Sequence, residues 1–190
     1  MIDHAAKREE IIVAARKVFA QYGYRKTTIE DIAASVYKAK SSVYHYFDGK
    51  EEIFKAVIER EAEQISLKIR EAIRNETAPV GKFTVYFKTV NENITETVNY
   101  FRLLMDEWFT VFDFTREIKT AHEQQGVDVL VSIMREGIAT GDFDIDDPEE
   151  SAKAINIAFS GFWYPFRTEF ANETSIDRFI SIMLRGLLKR

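Results

Sequence analysis

The 190-residue sequence predicts an all-α fold, with a small N-terminal helix-turn-helix domain and a larger C-terminal helical domain. Apolar residues recur every three to four positions through most of the chain, and no segment shows the two-residue alternation of a strand. Only 3 Pro and 8 Gly interrupt this pattern. From the recurring period we expect about nine helices. We expect the helix-turn-helix domain to span residues 1–49 and the C-terminal domain to span residues 50–190.

The head of the chain is predicted to contain three short helices. An apolar face from Ile11 to Tyr22 indicates the first helix, and Gly23 ends it. A second helix of about two turns follows Thr27 and Thr28, either of which can serve as its N-cap. A tight turn then leads into a third helix. This arrangement is typical of a helix-turn-helix unit.

The third helix has two different faces. Val43 and Phe47 lie four residues apart and are predicted to pack inward. Small hydroxyl and aromatic side chains remain outside, where they can contact phosphates and thymine methyl groups. These outward residues are Ser41, Ser42, Tyr44 and His45. Lys38, Lys40 and Lys50 flank the helix with positive charge, which favours contact with a polyanion.

The remaining helices are predicted from period and from start and stop signals. A long fourth helix begins after Asp48 and Gly49 and reaches about residue 75, before a break at Pro79. Gly141 is a natural helix end, and Asp147 before a proline is a strong helix start. The predicted helices of this part span residues 80–96, 98–112, 115–140, 148–170 and 175–188.

The net charge of -5 conceals a division along the chain. Residues 1–50 hold 9 Lys and Arg against 6 Asp and Glu, a net charge of +3, whereas residues 51–190 hold 17 against 25, a net charge of −8. The first part is therefore the one suited to meet nucleic acid.

Composition excludes several classes of site. The chain has no Cys, which excludes disulfides, thiolate nucleophiles and Cys-ligated zinc and is typical of a reducing compartment. We see no signal peptide and no run of 18 apolar residues, so we expect a cytoplasmic protein without a membrane span. With 3 His at no ligand spacing, we predict no metal, no cofactor and no catalytic residues.

Three segments together resemble the head of the tetracycline-repressor (TetR) family. They are Thr27-Thr28-Ile29-Glu30-Asp31-Ile32-Ala33, Ser42-Val43-Tyr44-His45-Tyr46-Phe47 and Lys50-Glu51-Glu52-Ile53-Phe54. The resemblance implies that the third helix enters the major groove of a palindromic operator as part of a two-fold dimer. The predicted DNA-binding residues are Thr28, Lys38, Lys40, Ser41, Ser42, Tyr44, His45, Tyr46 and Lys50. Lys38 is included as an added phosphate contact, since it departs from the family pattern.

Four of these positions, Thr28, Lys38, Tyr46 and Lys50, need a further comment. Thr28 and Lys50 are expected to hold phosphates at helix starts. Tyr46 is as compatible with packing as with DNA contact. The turn also departs from the family pattern, because Tyr37 stands where a glycine is usual and Lys38 where a buried valine is usual. A bulky residue at positive φ is costly, so we expect a reshaped turn.

The body of the chain is rich in aromatic residues, several of which share helix faces. Core packing explains any one of them, but rings on several neighbouring helices often leave a cavity that a small molecule fills. The predicted ligand-binding residues are Phe87, Phe101, Met105, Glu107, Trp108, Phe112, His122, Phe159, Phe162 and Trp163. Glu107 either forms a buried ion pair, which we favour slightly, or contacts the ligand. For His122, a core histidine with its hydrogen bonds satisfied is favoured over a ligand-binding residue.

The resemblance also implies dimerisation through the helices at about 148–170 and 175–188, the second of which has an apolar face that needs a partner. We therefore predict a ligand-responsive repressor, released from its operator by a small apolar or amphipathic effector. The sequence does not distinguish a repressor from an activator. The alternative is a helical carrier or enzyme, but no nucleophile elbow, phosphate loop or histidine cluster supports an enzyme.

Overall fold

The structure, a computed structural model, describes residues 4–94, 113–160 and 173–189. In these ranges the regular secondary structure is helical, apart from one isolated bridge between Phe143 and Leu188. The helices are α1 His4–Lys26, α2 Ile29–Ser35, α3 Lys40–Tyr44, α4 Lys50–Arg74, α5 Pro79–Ile94, α6 Asp113–Thr140, α7 Pro148–Ser160 and α8 Glu173–Leu187. The all-α prediction is confirmed. The helix predicted at 98–112 and the second half of that at 148–170 lie outside the described residues.

The first two helices follow the predicted signals closely. Gly23 has φ 77° and ψ 162°, so the helical path of α1 is broken at the residue predicted to end it. Thr28 is the N-cap of α2. Its Oγ1 accepts a hydrogen bond from the Asp31 N–H at 3.2 Å, and the Asp31 carboxylate accepts one from the Thr28 N–H at 2.8 Å. This reciprocal pair is a capping box, which satisfies two backbone donors at once.

The turn between α2 and α3 keeps a compact form despite its unusual residues. The Tyr37 N–H donates to the Ala34 carbonyl at 3.0 Å and the Lys38 N–H donates to the Ala33 carbonyl at 2.9 Å. These two bonds form the Schellman motif that commonly ends helices, with its left-handed residue at Tyr37. Tyr37 has φ 54° and a 99% exposed side chain. The expected reshaping is therefore wrong, since the tyrosine adopts the backbone conformation that glycine would supply.

Replacing Tyr37 with Gly is expected to raise the free energy of unfolding by about 1 kcal/mol, because glycine adopts a left-handed conformation without the steric cost of a Cβ. The melting temperature should rise by about 2–4 °C for a chain of this size. Tyr37→Ala is the control, because it removes the exposed ring but keeps the Cβ at positive φ. An equal gain from both variants would assign the effect to the ring and contradict the prediction.

Two groups of apolar residues form the interior. The head core unites α1, α2, α3 and the start of α4; Val43 is fully buried, and Phe47 and Phe54 are each 2% exposed. The body core unites α5, α6, α7 and α8 around the buried rings of Phe83 and Phe87. Helix α4 contacts α1 in the head and both α5 and α6 in the body. Helix α4 therefore joins the head of the fold to the body.

Both predicted signals around residues 141–148 are confirmed. Gly141 has φ 79° at the end of α6, and the N–H of Asp142 donates to the Gly137 carbonyl at 2.9 Å. Helix α7 begins at Pro148, and the Asp147 side chain accepts a hydrogen bond from the Glu150 N–H at 3.0 Å. These are local signals, since each bond joins residues at most five positions apart.

The apolar face of α8 requires a correction. It was expected to need a partner outside the chain, but Ile176, Phe179, Ile180 and Leu187 are all buried within it. The ring of Phe179 packs on Phe87 of α5 at 5.5 Å between centroids. This face therefore completes the body core.

Candidate nucleic-acid interface and ligand site

Helix α3 presents the two faces that the sequence predicts. Val43 lies in the head core, while Ser41, Tyr44 and His45 are exposed and Ser42 is half-buried. The side of α3 away from the core therefore carries hydroxyl, phenol and imidazole groups together. This is the chemistry that reads base edges in a major groove. The structure places Ser41, Ser42 and Tyr44 on α3 and His45 at its C-cap, so these four residues lie together, as predicted.

The three lysines near α3 have different environments. Lys38 is half-buried in the turn before α3. Lys40 is exposed, and its Nζ lies 2.6 Å from a carboxylate oxygen of Glu30, an ion pair that raises the pKa of Lys40. Its Nζ also lies 5.8 Å from the centroid of the Tyr44 ring. Lys40 and Tyr44 thus form one exposed pair that spans the first and last residues of α3.

Lys50 is engaged within the fold. Its Nζ donates to the carbonyl oxygens of Tyr24 at 2.9 Å and of Thr27 at 3.0 Å, with a longer contact of 3.5 Å to that of Arg25. It also lies 4.5 Å from the centroid of the Tyr24 ring. Partial burial lowers the pKa of Lys50. The ammonium therefore ties the first residue of α4 to the end of α1, a role that sequence reasoning missed because the contacts span more than twenty residues.

Two further predicted DNA-binding residues also have partners within the chain. The hydroxyl of Thr28 donates to the Asp31 carboxylate at 2.7 Å while capping α2, although the residue is exposed. Tyr46 is half-buried, packs against the head core and contacts the His4 ring in a tilted arrangement with 4.7 Å between centroids. Tyr46 therefore has packing partners in the head, and its contact with DNA stays a prediction.

The described part of the predicted ligand site lies in the body core. Phe87 and Phe159 are buried, and their rings meet edge to face with 4.7 Å between centroids. The other aromatic and acidic candidates lie outside the described residues: Phe101, Met105, Glu107, Trp108, Phe112, Phe162 and Trp163. The structure thus brings Phe87 of α5 and Phe159 of α7 together.

His122 of α6 lies near two acidic side chains of α4. It is half-buried, and burial lowers the pKa of His122, while a hydrogen bond with Gln125 and the carboxylates of Glu59 and Glu63 oppose that shift. This histidine is already supplied with polar neighbours, as the core interpretation expected.

A polar group that the sequence did not single out lies beside the aromatic rings. Tyr86 of α5 is 4% exposed, and a Cβ built on Gly126 of α6 would lie 3.0 Å from its hydroxyl and 3.4 Å from Oδ1 of Asn156 on α7. Burial raises the pKa of the Tyr86 hydroxyl. A sequence signal existed in Asn156, which is the polar member of an otherwise apolar turn of α7 next to Ile155 and Phe159.

Other kinds of site are not seen in the described ranges. Residues 4–94, 113–160 and 173–189 contain no group of three or more His, Asp or Glu side chains that could hold a metal ion. No helix within the same ranges is long and apolar enough to cross a membrane.

The arrangement of an exposed α3, a connecting α4 and an aromatic body agrees with two family models. Residues 11–57 match the model of bacterial regulatory proteins of the tetR family, and residues 86–183 match a tetracyclin repressor-like C-terminal domain. The second match alone covers more than half of the chain. The chain belongs to the TetR family. The resemblance seen in the sequence is thereby confirmed.

The similarity to known TetR-family proteins covers nearly the whole of this chain. The HTH-type transcriptional repressor KstR2 of Mycolicibacterium smegmatis is 29% identical over 191 residues, which cover 96% of this chain and 91% of that protein. A transcriptional regulator from Cytophaga hutchinsonii has the same fold, with a TM-score of 0.76, 23% identity and coverage of 96% and 99% of the two chains. AibR, whose structure contains isovaleryl coenzyme A and operator DNA, has a TM-score of 0.66, 19% identity and coverage of 95% and 97%.

Proposed function

We propose that this protein is a transcriptional repressor that binds a palindromic operator as a dimer and is released by a small apolar or amphipathic effector. The observation that carries the proposal is the exposed side of α3, where Ser41, Tyr44 and the C-cap residue His45 lie together, while Val43 anchors the helix in the head core. The repressor names of similar proteins support it. A DNA-binding regulator acts where the operator is, so we place it in the cytoplasm.

The division of the chain supports separate tasks. Residues 1–49 hold the helix-turn-helix and most of the basic excess, and residues 50–190 hold the acidic body. We propose that the first domain binds DNA and the second binds the effector and forms the dimer. The proposed activity is binding, with no catalytic step assigned to the chain.

Dimerisation is supported by apolar side chains that α7 and α8 leave outside the core. Ile157 of α7 is 71% exposed and Ile182 of α8 is 55% exposed. Ala154 and Ala158 lie on the same exposed side of α7 as Ile157 and are small enough for close helix approach. We propose that this surface, rather than the buried face of α8, packs against its copy.

Release requires that the effector prefer a different arrangement of the two heads. Helix α4 is suited to transmit the change, because it contacts α1 in the head and α5 and α6 in the body. An effector that separates α5 from α6 would move α4, and with it the end of α1 that Lys50 holds.

The proposed function is tested by measuring binding of the full chain to DNA from upstream of its own gene by fluorescence anisotropy at several salt concentrations. We expect a preferred two-fold symmetric site, with log K falling linearly with log salt as phosphate contacts require. One dimer should protect both half-sites. Equal binding to the upstream DNA and to a shuffled sequence would contradict the proposal.

Replacing Tyr44 with Ala is expected to weaken binding to the preferred site by about 10–100-fold, with little change for shuffled DNA, because a base-reading side chain contributes about 1–3 kcal/mol. Tyr22→Ala is a matched control, since Tyr22 of α1 is 52% exposed and Tyr44 is 46% exposed. Competition titrations give both affinities. A loss of the same size on both DNAs, or with the Tyr22 variant, would contradict base reading by Tyr44.

A further inference from the structure

The Tyr86 hydroxyl is a polar group buried in the body core. The side chain belongs to the body core, is 4% exposed, and its ring meets Phe87 edge to face at 4.9 Å between centroids. Among the residues that the structure describes, none forms a hydrogen bond with this hydroxyl. Native proteins rarely leave such a group unpaired, so each case calls for a partner, either water or a ligand.

A second polar group faces the same point. Asn156 of α7 is half-buried, and within the described ranges its side-chain amide also lacks a hydrogen bond. The position of a Cβ on Gly126 lies 3.0 Å from the Tyr86 hydroxyl and 3.4 Å from Asn156 Oδ1, so both atoms flank one spot beside the backbone of α6. The absent side chain of Gly126 leaves room for these polar atoms.

The surroundings of this spot are apolar. Asn156 and Phe159 lie three positions apart on α7, and Tyr86 and Phe87 are neighbours on α5. The rings of Phe87 and Phe159 are 4.7 Å apart. A molecule that reaches the two polar groups therefore meets aromatic rings beside them, which is the composition of a small-molecule site.

The charge of the partner can also be inferred. The lysines of α5 and α7 are all held in ion pairs: Lys82 with Glu136, Lys88 with Asp177 and Lys153 with Glu150. A carboxylate or phosphate ligand would therefore have to compete with these carboxylate partners for the lysines. A phenol donates a hydrogen bond and an amide both donates and accepts, which suits an uncharged oxygen.

We propose that the Tyr86 hydroxyl and the Asn156 amide bind the uncharged carbonyl or hydroxyl oxygen of an otherwise apolar effector. The inference rests on the proposed effector-binding role of the C-terminal domain and names the polar anchor of that site. Tyr86 donates to the ligand oxygen, Asn156 donates or accepts beside it, and the rings of Phe87 and Phe159 contact the apolar part.

The test compares two ligands that differ only at the anchored group. Benzophenone has a carbonyl between two rings, and diphenylmethane has a methylene at the same place. We expect the full chain to bind benzophenone about 3–10-fold more tightly, the ratio that one net hydrogen bond provides. Isothermal titration gives both affinities. The carbonyl stretch of bound benzophenone should shift to lower frequency, as hydrogen bonding requires.

Tyr86→Phe removes the hydroxyl and keeps the ring. This variant should lose the preference for benzophenone and the infrared shift, while its affinity for diphenylmethane stays within twofold of the parent. Its melting temperature without ligand should be unchanged or higher by up to about 4 °C, because an unpaired buried hydroxyl has been removed. Gly126→Ala places a methyl group between the two polar atoms and should weaken benzophenone binding at least as much.

Three outcomes would overturn the inference. They are equal binding of both probes by the parent chain, absence of benzophenone binding up to its solubility, and a fall of more than 4 °C in the melting temperature of Tyr86→Phe, which would assign the hydroxyl a structural bond. Operator binding by the ligand-free chain is measured separately. Absence of operator binding would contradict the proposed function. The benzophenone result would still test the polar anchor by itself.

Discussion

Replacing Arg16 with Met is expected to lower the free energy of unfolding by about 3–5 kcal/mol, because it removes the cation that faces a buried carboxylate. Glu61 of α4 is fully buried, and its Oε1 accepts a hydrogen bond from Nε of Arg16 on α1 at 2.8 Å. A charge in the interior is costly unless it is paired. Urea unfolding followed by circular dichroism measures the loss.

Two further variants distinguish the effect of the buried Glu61 charge on stability from the effect of losing the arginine side chain. Arg70→Met makes the same substitution in an exposed ion pair with Glu63, both partners being more than half exposed, and should cost less than about 1 kcal/mol. Adding Glu61→Leu to Arg16→Met should recover most of the loss, since it removes the buried carboxylate. If the double variant is no more stable than Arg16→Met, packing of the arginine stem explains the loss and the electrostatic account fails.

The helix ends and caps that were predicted correctly from the sequence depend on contacts within a few residues. Thr28 caps α2 through Asp31, Gly141 ends α6 and Asp147 begins α7, and every bond in these motifs spans at most five positions. The two-faced α3 was also predictable, because the inward positions of a helix are fixed by its period. Side chains with such short-range roles can be located without knowing which helices meet.

Contacts between helices explain what the sequence did not predict. Arg16 and Glu61 are 45 positions apart, and Lys50 reaches carbonyls 23 and 26 positions before it. The apolar face of α8 was expected to seek a second chain, yet α5 and α7 cover it through Phe87 and Phe159. An amphipathic period shows that a face will be buried; the packing of the other helices determines what buries it.

The positive φ of Tyr37 shows a different limit. The sequence correctly identified the position that needs a left-handed residue. It did not show whether the turn would change its backbone path or the tyrosine would adopt a positive φ. The backbone bonds of the Schellman motif from Lys38 to Ala33 and from Tyr37 to Ala34 are kept, at the cost of one unfavourable conformation. Two backbone hydrogen bonds and the packing of α2 outweigh a penalty of about 1–2 kcal/mol.

Replacing Lys50 with Met is expected to lower the free energy of unfolding by about 2–3 kcal/mol and to weaken binding to every DNA sequence by about tenfold. The ammonium donates to the carbonyls of Tyr24 and Thr27, and hydrogen bonds from a charged group contribute about 1.5–3 kcal/mol. Without them, the end of α1 and the start of α4 are no longer tied, so α3 is held less firmly for docking. Because no base contact is lost, the ratio of operator to shuffled DNA affinity should not change.

Lys38→Ala is the comparison that distinguishes positioning from direct phosphate contact. It removes one charge beside α3 from a side chain whose ammonium has no carbonyl partner like those of Lys50 among the described residues. A phosphate contact at Lys38 predicts unchanged stability, uniformly weaker DNA binding and a salt slope smaller by about one. For Lys50→Met the salt slope should stay the same while stability falls. A reduced slope with unchanged stability for Lys50→Met would show instead that its ammonium leaves the carbonyls for a phosphate in the complex.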